Sequence, residues 1–304
     1  MLQEISEQSA SDEIAAIYAD IREVQGLPIV NLIWRHLACT PGALALAWQH
    51  ARPLYASGQA ERHAAWLYGQ LTLPPLVEAP ASVFTLLGLS ETDRRDIAAV
   101  LDTYNRGNGL NLMALTCVHA RLTGDRQPAA EARSDDAKGR EHPDARPHDQ
   151  GAPITLPTVA AAVPAIPALD ALGAPARELI QTLNVFGLSG QTSPVVASLY
   201  RHLALWPPYL AWTHATLAPL QADGRLDALV ARTRELALAR GRLMAASAAP
   251  DTAAPDTPAP DSNAPGAPAR LRQVVSEAIG TFINTAICRM VPIGRVLRVQ
   301  LGRD

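Results

Sequence analysis

Cysteine is scarce. The 304 residues hold three, Cys39, Cys117 and Cys288, with no CxxC pair among them. That excludes a disulfide framework and any chemistry run by a paired thiol, and it predicts reduced, buried thiols in a cytoplasmic protein. Positive charge is not in excess. Lys and Arg number 26 against 29 Asp and Glu, a net charge of −3, so no basic face for nucleic acid is expected. No run of about 18 apolar residues is free of charge or proline, so no membrane span is predicted. The start, Met1-Leu2-Gln3-Glu4, lacks the basic and apolar regions of a signal peptide. No histidines show HExxH or other metal-ligand spacing, and no glycine loop could cradle phosphate. Gly187-Leu188-Ser189-Gly190 lacks the last glycine of a nucleophile elbow. Neither a metal nor a cofactor is expected. No segment alternates at period two, so the fold class is all-α.

What is present is a repeat. Arg35-His36-Leu37-Ala38 recurs 166 residues later as Arg201-His202-Leu203-Ala204, each copy followed by two residues and then Pro41 or Pro207. The offset holds without gaps through Pro53/Pro219, Leu54/Leu220 and Gly58/Gly224. A chance tetrapeptide would not keep its downstream residues in register. The expected architecture is two tandem helical repeats forming a pseudo-dimer: repeat 1 over residues 1–123, a disordered linker over 124–152, and repeat 2 over 153–304. Repeat 2 carries a disordered Ala/Pro-rich insertion at about 245–268. Both breaks lack an apolar period.

Local signals place the helices. Ile14, Ile17, Tyr18, Ile21 and Val24 share one face of a helix from Asp12 to Gln25, capped by Ser11 and stopped by Gly26 and Pro28. Further helices are predicted at about Val30–Cys39, from Pro41 with Thr40 as N-cap, and near Ala60–Leu71, Ala79–Leu87 and Thr92–Leu122. Ser90 with Asp93 reads as a capping box for the last of these. Trp206-Pro207 is read as the second copy of the Thr40-Pro41 turn. The last long helices pair at an offset of 178: Ile97, Leu101, Tyr104 and Asn108 match Val275, Ile279, Phe282 and Ala286.

That pairing isolates Asn108 as an amide on an apolar face whose partner is Ala286. A buried amide without hydrogen bonds costs about 1–3 kcal/mol. Asn108 sits between Gly107 and Gly109, so it either caps a helix break or holds a water or polar ligand in a pocket between the repeats. His36 and His202 are repeat equivalents and are read as structural. His142 and His148 fall in the linker. Cys117 and His119 lie two apart on a helix and face different ways. The five tryptophans are read as core.

Several short stretches carry a family resemblance. They are Tyr18-Ala19-Asp20-Ile21-Arg22, Leu27-Pro28, Thr40-Pro41-Gly42, Leu46-Ala47-Trp48, Tyr104-Asn105-Arg106-Gly107-Asn108, Leu169-Asp170-Ala171, Leu203-Ala204 and Trp206-Pro207. In order and spacing the chain resembles the group I 2-haloacid dehalogenases, which act on both enantiomers of short 2-haloacids. The resemblance implies an all-helical pseudo-dimer, paired again as a homodimer, with a site between the repeats. It implies a small-molecule 2-haloacid as substrate and hydrolysis of the carbon–halide bond by direct attack of water, without a covalent intermediate. Asn108 falls on the family's water-holding asparagine, and Ser198 on the serine beside its catalytic aspartate. Ile29 and Leu32 fall on aromatic pocket positions, and Phe282 on a pocket tyrosine. The aspartate that serves as general base falls on Leu199. No Asp or Glu lies between Glu178 and Asp223, so a small register error would not restore it. Asp20, Asp102 or Asp170 remain as replacements. The expectation is therefore a haloacid dehalogenase-like protein with impaired catalysis, or a non-catalytic helical protein binding a small ligand or a partner on the same scaffold.

Overall fold

A computed structural model describes residues 2–76, 78–125, 154–247 and 267–302. Every regular element among them is helical. In chain order these are α1 (Asp12–Gln25), α2 (Leu32–Leu37), α3 (Ala43–Ala56), α4 (Gln59–Gln70), α5 (Ala81–Leu86), α6 (Glu91–Thr123), α7 (Ala174–Asn184), α8 (Ser198–Leu203), α9 (Pro207–Ala222), α10 (Arg225–Ser247), α11 (Ala267–Phe282) and α12 (Cys288–Leu301). A π-helical turn, Ile283–Ile287, joins α11 to α12. His142, His148 and most of the linker and insertion lie outside the described residues. The helix α10 runs on to Ser247, past the expected start of the insertion at about residue 245.

The local signals have physical counterparts. Ser11 Oγ accepts the Ile14 N–H at the start of α1, and Gly26 closes it at φ 62°, a left-handed conformation that glycine adopts without a Cβ penalty. The Ser90–Asp93 capping box forms in both directions. One start differs from expectation. Thr40-Pro41 lies in a turn, and α3 begins at Ala43 behind Gly42 at φ 77°. Trp206-Pro207 does not repeat that turn, because Pro207 is itself the first residue of α9.

Helix bounds recur at the 166-residue offset. The bounds of α2, Leu32–Leu37, correspond to those of α8, Ser198–Leu203. The helices α3 and α9 end at Ala56 and Ala222, each with a proline in its last turn. The next pair starts at Gln59 and Arg225, behind Gly58 and Gly224 at positive φ.

The centre of the fold is α6. Of its residues, 20 are buried, from Ile97 to Ala120, and it packs against α3, α4, α8, α10, α11 and α12. It runs unbroken through Gly107-Asn108-Gly109, which removes the helix-break reading of Asn108. The glycines serve close approach. A Cβ at 107 would lie 3.1 Å from the Asn31 amide, and one at 109 would lie 2.8 Å from the Tyr68 hydroxyl. The run 268–301 is long and apolar enough to cross a membrane by composition, yet more than half of its most apolar stretch is buried in the fold. That burial is what a core helix requires. Cys117 and Cys288 are buried, whereas Cys39 is only half-buried, and all three are free thiols.

The crossing of α10 over α6 is close enough to exclude a side chain. A Cβ on Gly241 would sit 2.6 Å from Thr116 Cβ and 2.8 Å from its carbonyl carbon, and a backbone atom cannot swing aside. Gly241→Ala should therefore lower stability by about 1–3 kcal/mol through overpacking, read as a fall in the urea midpoint. An unchanged midpoint would mean that the two helices stand further apart.

Candidate functional site

A cavity of about 40 Å³ opens between α6 and the starts of α2 and α8, enough for a few waters or one short-chain solute. Its wall comes from both halves of the chain. Asn31, Leu32 and Ile33 come from the start of α2, and Val195, Ala197, Ser198 and Leu199 from the start of α8. The central helix gives Tyr104, Asn108 and Asn111, and the run from α11 to α12 gives Phe282, Ala286, Ile287 and Met290. The π turn holds Ala286 and Ile287 in this wall, a helix irregularity of the kind often found at functional sites.

Five of the six site residues expected from sequence meet here: Asn108, Ser198, Leu199, Leu32 and Phe282. Ile29 does not. It precedes the Asn31 cap of α2 and packs half-buried against the outside of the core. Val195, 166 residues on, lines the cavity instead.

The polar atoms of the wall are few and largely unpartnered. Asn108 is 8% exposed and its Nδ2 has no acceptor. Asn31 Oδ1 and Ser198 Oγ are likewise buried without partners. Asn111 is fixed from behind: its Oδ1 accepts from Gln25 Nε2 at 3.1 Å, Trp34 Nε1 at 3.2 Å and Tyr55 Oη at 2.8 Å. That leaves Asn111 Nδ2 buried and unsatisfied at the cavity wall. Four such groups in one apolar pocket mark a place where a polar ligand or water completes the hydrogen bonding. Sequence reasoning missed Asn31 and Asn111. The signal for Asn111 was its spacing, three residues after Asn108 and so on the same face of α6.

Among the described residues no carboxylate lines the cavity. Leu199 is fully buried in its wall. The candidate replacements lie elsewhere. Asp20 accepts from Trp48 Nε1 at 2.7 Å and from Arg52 through both oxygens, and that guanidinium holds its pKa below the usual range. Asp102 pairs with Arg298 at 3.0 Å, and burial raises its pKa. Asp170 is exposed on a 3₁₀ turn. Tyr104, the one ionisable group among the described residues of the wall, is held protonated by burial, with its pKa well above the ordinary value.

The two halves grip each other beside the cavity through matching pairs. His36 stacks on Phe282 at 5.7 Å, and His202 meets Tyr104 edge-on at 5.8 Å. The histidines are 166 residues apart and the aromatics 178. His202 also holds the Pro164 carbonyl at 2.8 Å through Nε2. Among the described residues no group of three His, Cys, Asp or Glu is placed to hold a metal.

No family model matches the sequence. The chain is 28% identical over 244 residues to a configuration-inverting 2-haloacid dehalogenase of Alcaligenes xylosoxydans xylosoxydans, covering 77% of this chain and 75% of that one. It is 26% identical over 227 residues to an (R)-2-haloacid dehalogenase of Pseudomonas putida, covering 72% and 68%. Among solved structures, a D-2-haloacid dehalogenase mutant in complex with D-2-CPA superposes with a TM-score of 0.62 at 20% identity, covering 99% of this chain and 94% of that one. A D-2-haloacid dehalogenase in complex with L-LA gives 0.64 at 17%, covering 99% and 96%. The sequence relatives are thus 2-haloacid dehalogenases, and the structural likeness establishes their all-helical fold for this chain.

Two outcomes follow from this geometry. Asn111→Ala strips the acceptor from three buried donors and should cost about 2–4 kcal/mol, seen in chemical denaturation, whereas Asn111→Asp keeps that acceptor and should cost less. Equal losses would mean that the three donors find other partners. Burial also depresses the pKa of His202 below its ordinary 6.5. The unfolded chain then takes up its proton first as pH falls, so stability is full above pH 6.5 and declines as the pH drops through the folded-state value. His202→Gln should flatten the stability–pH profile over that window, and a profile of unchanged slope would show that His202 is not the group responsible.

Proposed function

We propose that this protein is a 2-haloacid dehalogenase-like hydrolase that takes short 2-haloalkanoic acids into the cavity between its halves, with turnover impaired by the loss of the general base. The observation that carries this reading is the cavity itself: unpartnered Asn31, Asn108, Asn111 and Ser198 in a mostly apolar wall that Leu199 shares, with no carboxylate among the described residues that line it. Asn108 would hold the attacking water through its amide. Leu32, Leu199 and Phe282 would pack against the alkyl chain and the halogen. The water oxygen bonds to C2 as the carbon–halogen bond breaks, the halide leaves with the electron pair, and C2 inverts. The released proton goes to solvent, since no side chain in the wall accepts it. A positioned base typically supplies about 10²–10⁴ in rate, so its loss leaves hydrolysis slow.

The same reading carries the tandem-repeat architecture, a pseudo-dimer with its site at the internal junction, and pairing of two chains as a homodimer. The recurring helix bounds and the matched His36–Phe282 and His202–Tyr104 contacts support the repeat. Three free thiols suit a reducing cytoplasm. The second reading is a non-catalytic small-ligand protein on the same scaffold, which the base-free wall favours.

Halide release from D- and L-2-chloropropanoate and 2-bromopropanoate separates the two. The wild type should release halide slowly, and Leu199→Asp should raise the rate by about 10²–10⁴, with Asn108→Ala in that background removing the gain. Silence from both proteins, with 2-haloacid binding intact by calorimetry, would support the binding reading. Rapid release by the wild type, unaffected by Asn108→Ala, would overturn both the site and its missing base.

A further inference from the structure

The arginines of the repeated tetrapeptide converge on one side chain. Glu4 Oε2 lies 3.0 Å from Arg35 Nη2, and Glu4 Oε1 lies 3.2 Å from Arg201 Nη1. Arg201 also donates to the Pro167 carbonyl at 3.1 Å. Among the described residues, two guanidinium groups therefore share a single carboxylate, which leaves one positive charge in excess. The Nε atoms of both arginines are buried without an acceptor, and Arg35 is only 8% exposed. A buried charge and buried N–H groups left unpaired are costly unless something pairs them.

The position of this cluster is set by helix geometry. Arg35 follows Asn31 and Leu32 by one turn on the same face of α2, and Arg201 follows Ala197 and Ser198 in the same way on α8. Those four residues line the cavity. Tyr104, in the wall, lies within the electrostatic reach of Arg35, Arg201 and Glu4. Among the described residues the cavity wall itself carries no cation.

We propose that Arg35 and Arg201 form a binding site for the carboxylate of a short organic acid, which Glu4 fills as an internal occupant. The proposal rests on the short-acid reading of the cavity and supplies the cation that its wall lacks. Guanidinium forks match carboxylate geometry with charge-assisted hydrogen bonds, and the two sites on either side of the junction give the ligand a contact from each half. Glu4 can leave without unravelling its segment. Ile5 N donates to Arg35 O at 3.0 Å, Tyr18 Oη donates to Ile5 O at 3.0 Å, and the His36 ring holds Gln3 O at 2.9 Å. The backbone there is anchored independently of the Glu4 carboxylate.

Calorimetric titration of the full chain with sodium propanoate tests this, and the lack of a halogen separates it from turnover. Glu4→Gln should bind propanoate about tenfold more tightly than the wild type, the scale of one charge-assisted pair. Adding Arg201→Gln should remove the gain. Equal or weaker binding by Glu4→Gln would overturn the proposal. Should that variant not fold, the wild type still decides: propanoate, and not an equal concentration of chloride, should shift the Nε–H NMR signals of Arg35 and Arg201, and unmoved signals would overturn it. A propanoate effect without halide release from any 2-haloacid would leave this site standing and remove the hydrolase reading alone.

Discussion

A helix buried on every side must satisfy its polar side chains from within the protein, and α6 is such a helix. It carries Asn105, Asn108 and Asn111 at three-residue spacing along its most buried stretch. Two of the three are tied into the packing. Asn105 donates to the Gly294 carbonyl at 3.2 Å, and Asn111 accepts three hydrogen bonds through one oxygen. Asn108, between them, keeps a buried Nδ2 with no acceptor among the described residues. The surrounding helices could have closed on an apolar residue there. They leave a cavity instead, and its shape follows from how α6 is pinned on either side of that point.

The two halves share geometry and differ in chemistry. Helix bounds agree at the 166-residue offset, and each half sends a histidine onto the other's aromatic residue. Yet Asn108 faces Ala286, and Asn111 corresponds to Arg289, a fully buried guanidinium that donates to the Asn184 and Phe186 carbonyls at the end of α7. Cationic donors suit the last turn of a helix, where carbonyls lack partners. The helix α6 thus turns Asn108 and Asn111 toward the junction, whereas Arg289 on α12 closes its own half. The polarity of the cavity accordingly comes mainly from α6 and from the first turns of α2 and α8. Among the described residues, none of the three brings a carboxylate into the cavity wall.

The helices were largely legible in sequence because capping and periodicity are local. Asp12–Gln25 and the Ser90–Asp93 box needed nothing beyond neighbouring residues. Thr40-Pro41 misled because a threonine before proline matches an N-cap, and only the left-handed turn at Gly42 reveals that the helix starts later. The site was legible in part. Asn108 stood out by breaking an apolar face, and the resemblance aligned Ser198, Leu199, Leu32 and Phe282 with pocket positions. Asn31 was not visible because an asparagine before a helix reads as a cap, and in the structure its side chain makes no capping bond. Ile29 was misplaced because the direction of a side chain just ahead of a short helix depends on tertiary packing. The Glu4 bridge joins residues up to 197 positions apart, a distance over which no pattern in the sequence speaks.

The claim on which everything rests is that the junction cavity is the ligand site. A crystal structure of the protein grown with 2-bromopropanoate, phased on the bromine anomalous signal, tests it most directly. The expected result is bromine between Leu199 and Phe282, with Asn108 and Ser198 in hydrogen-bonding reach of the ligand or of a water beside it. Bromine bound only outside the junction would contradict it.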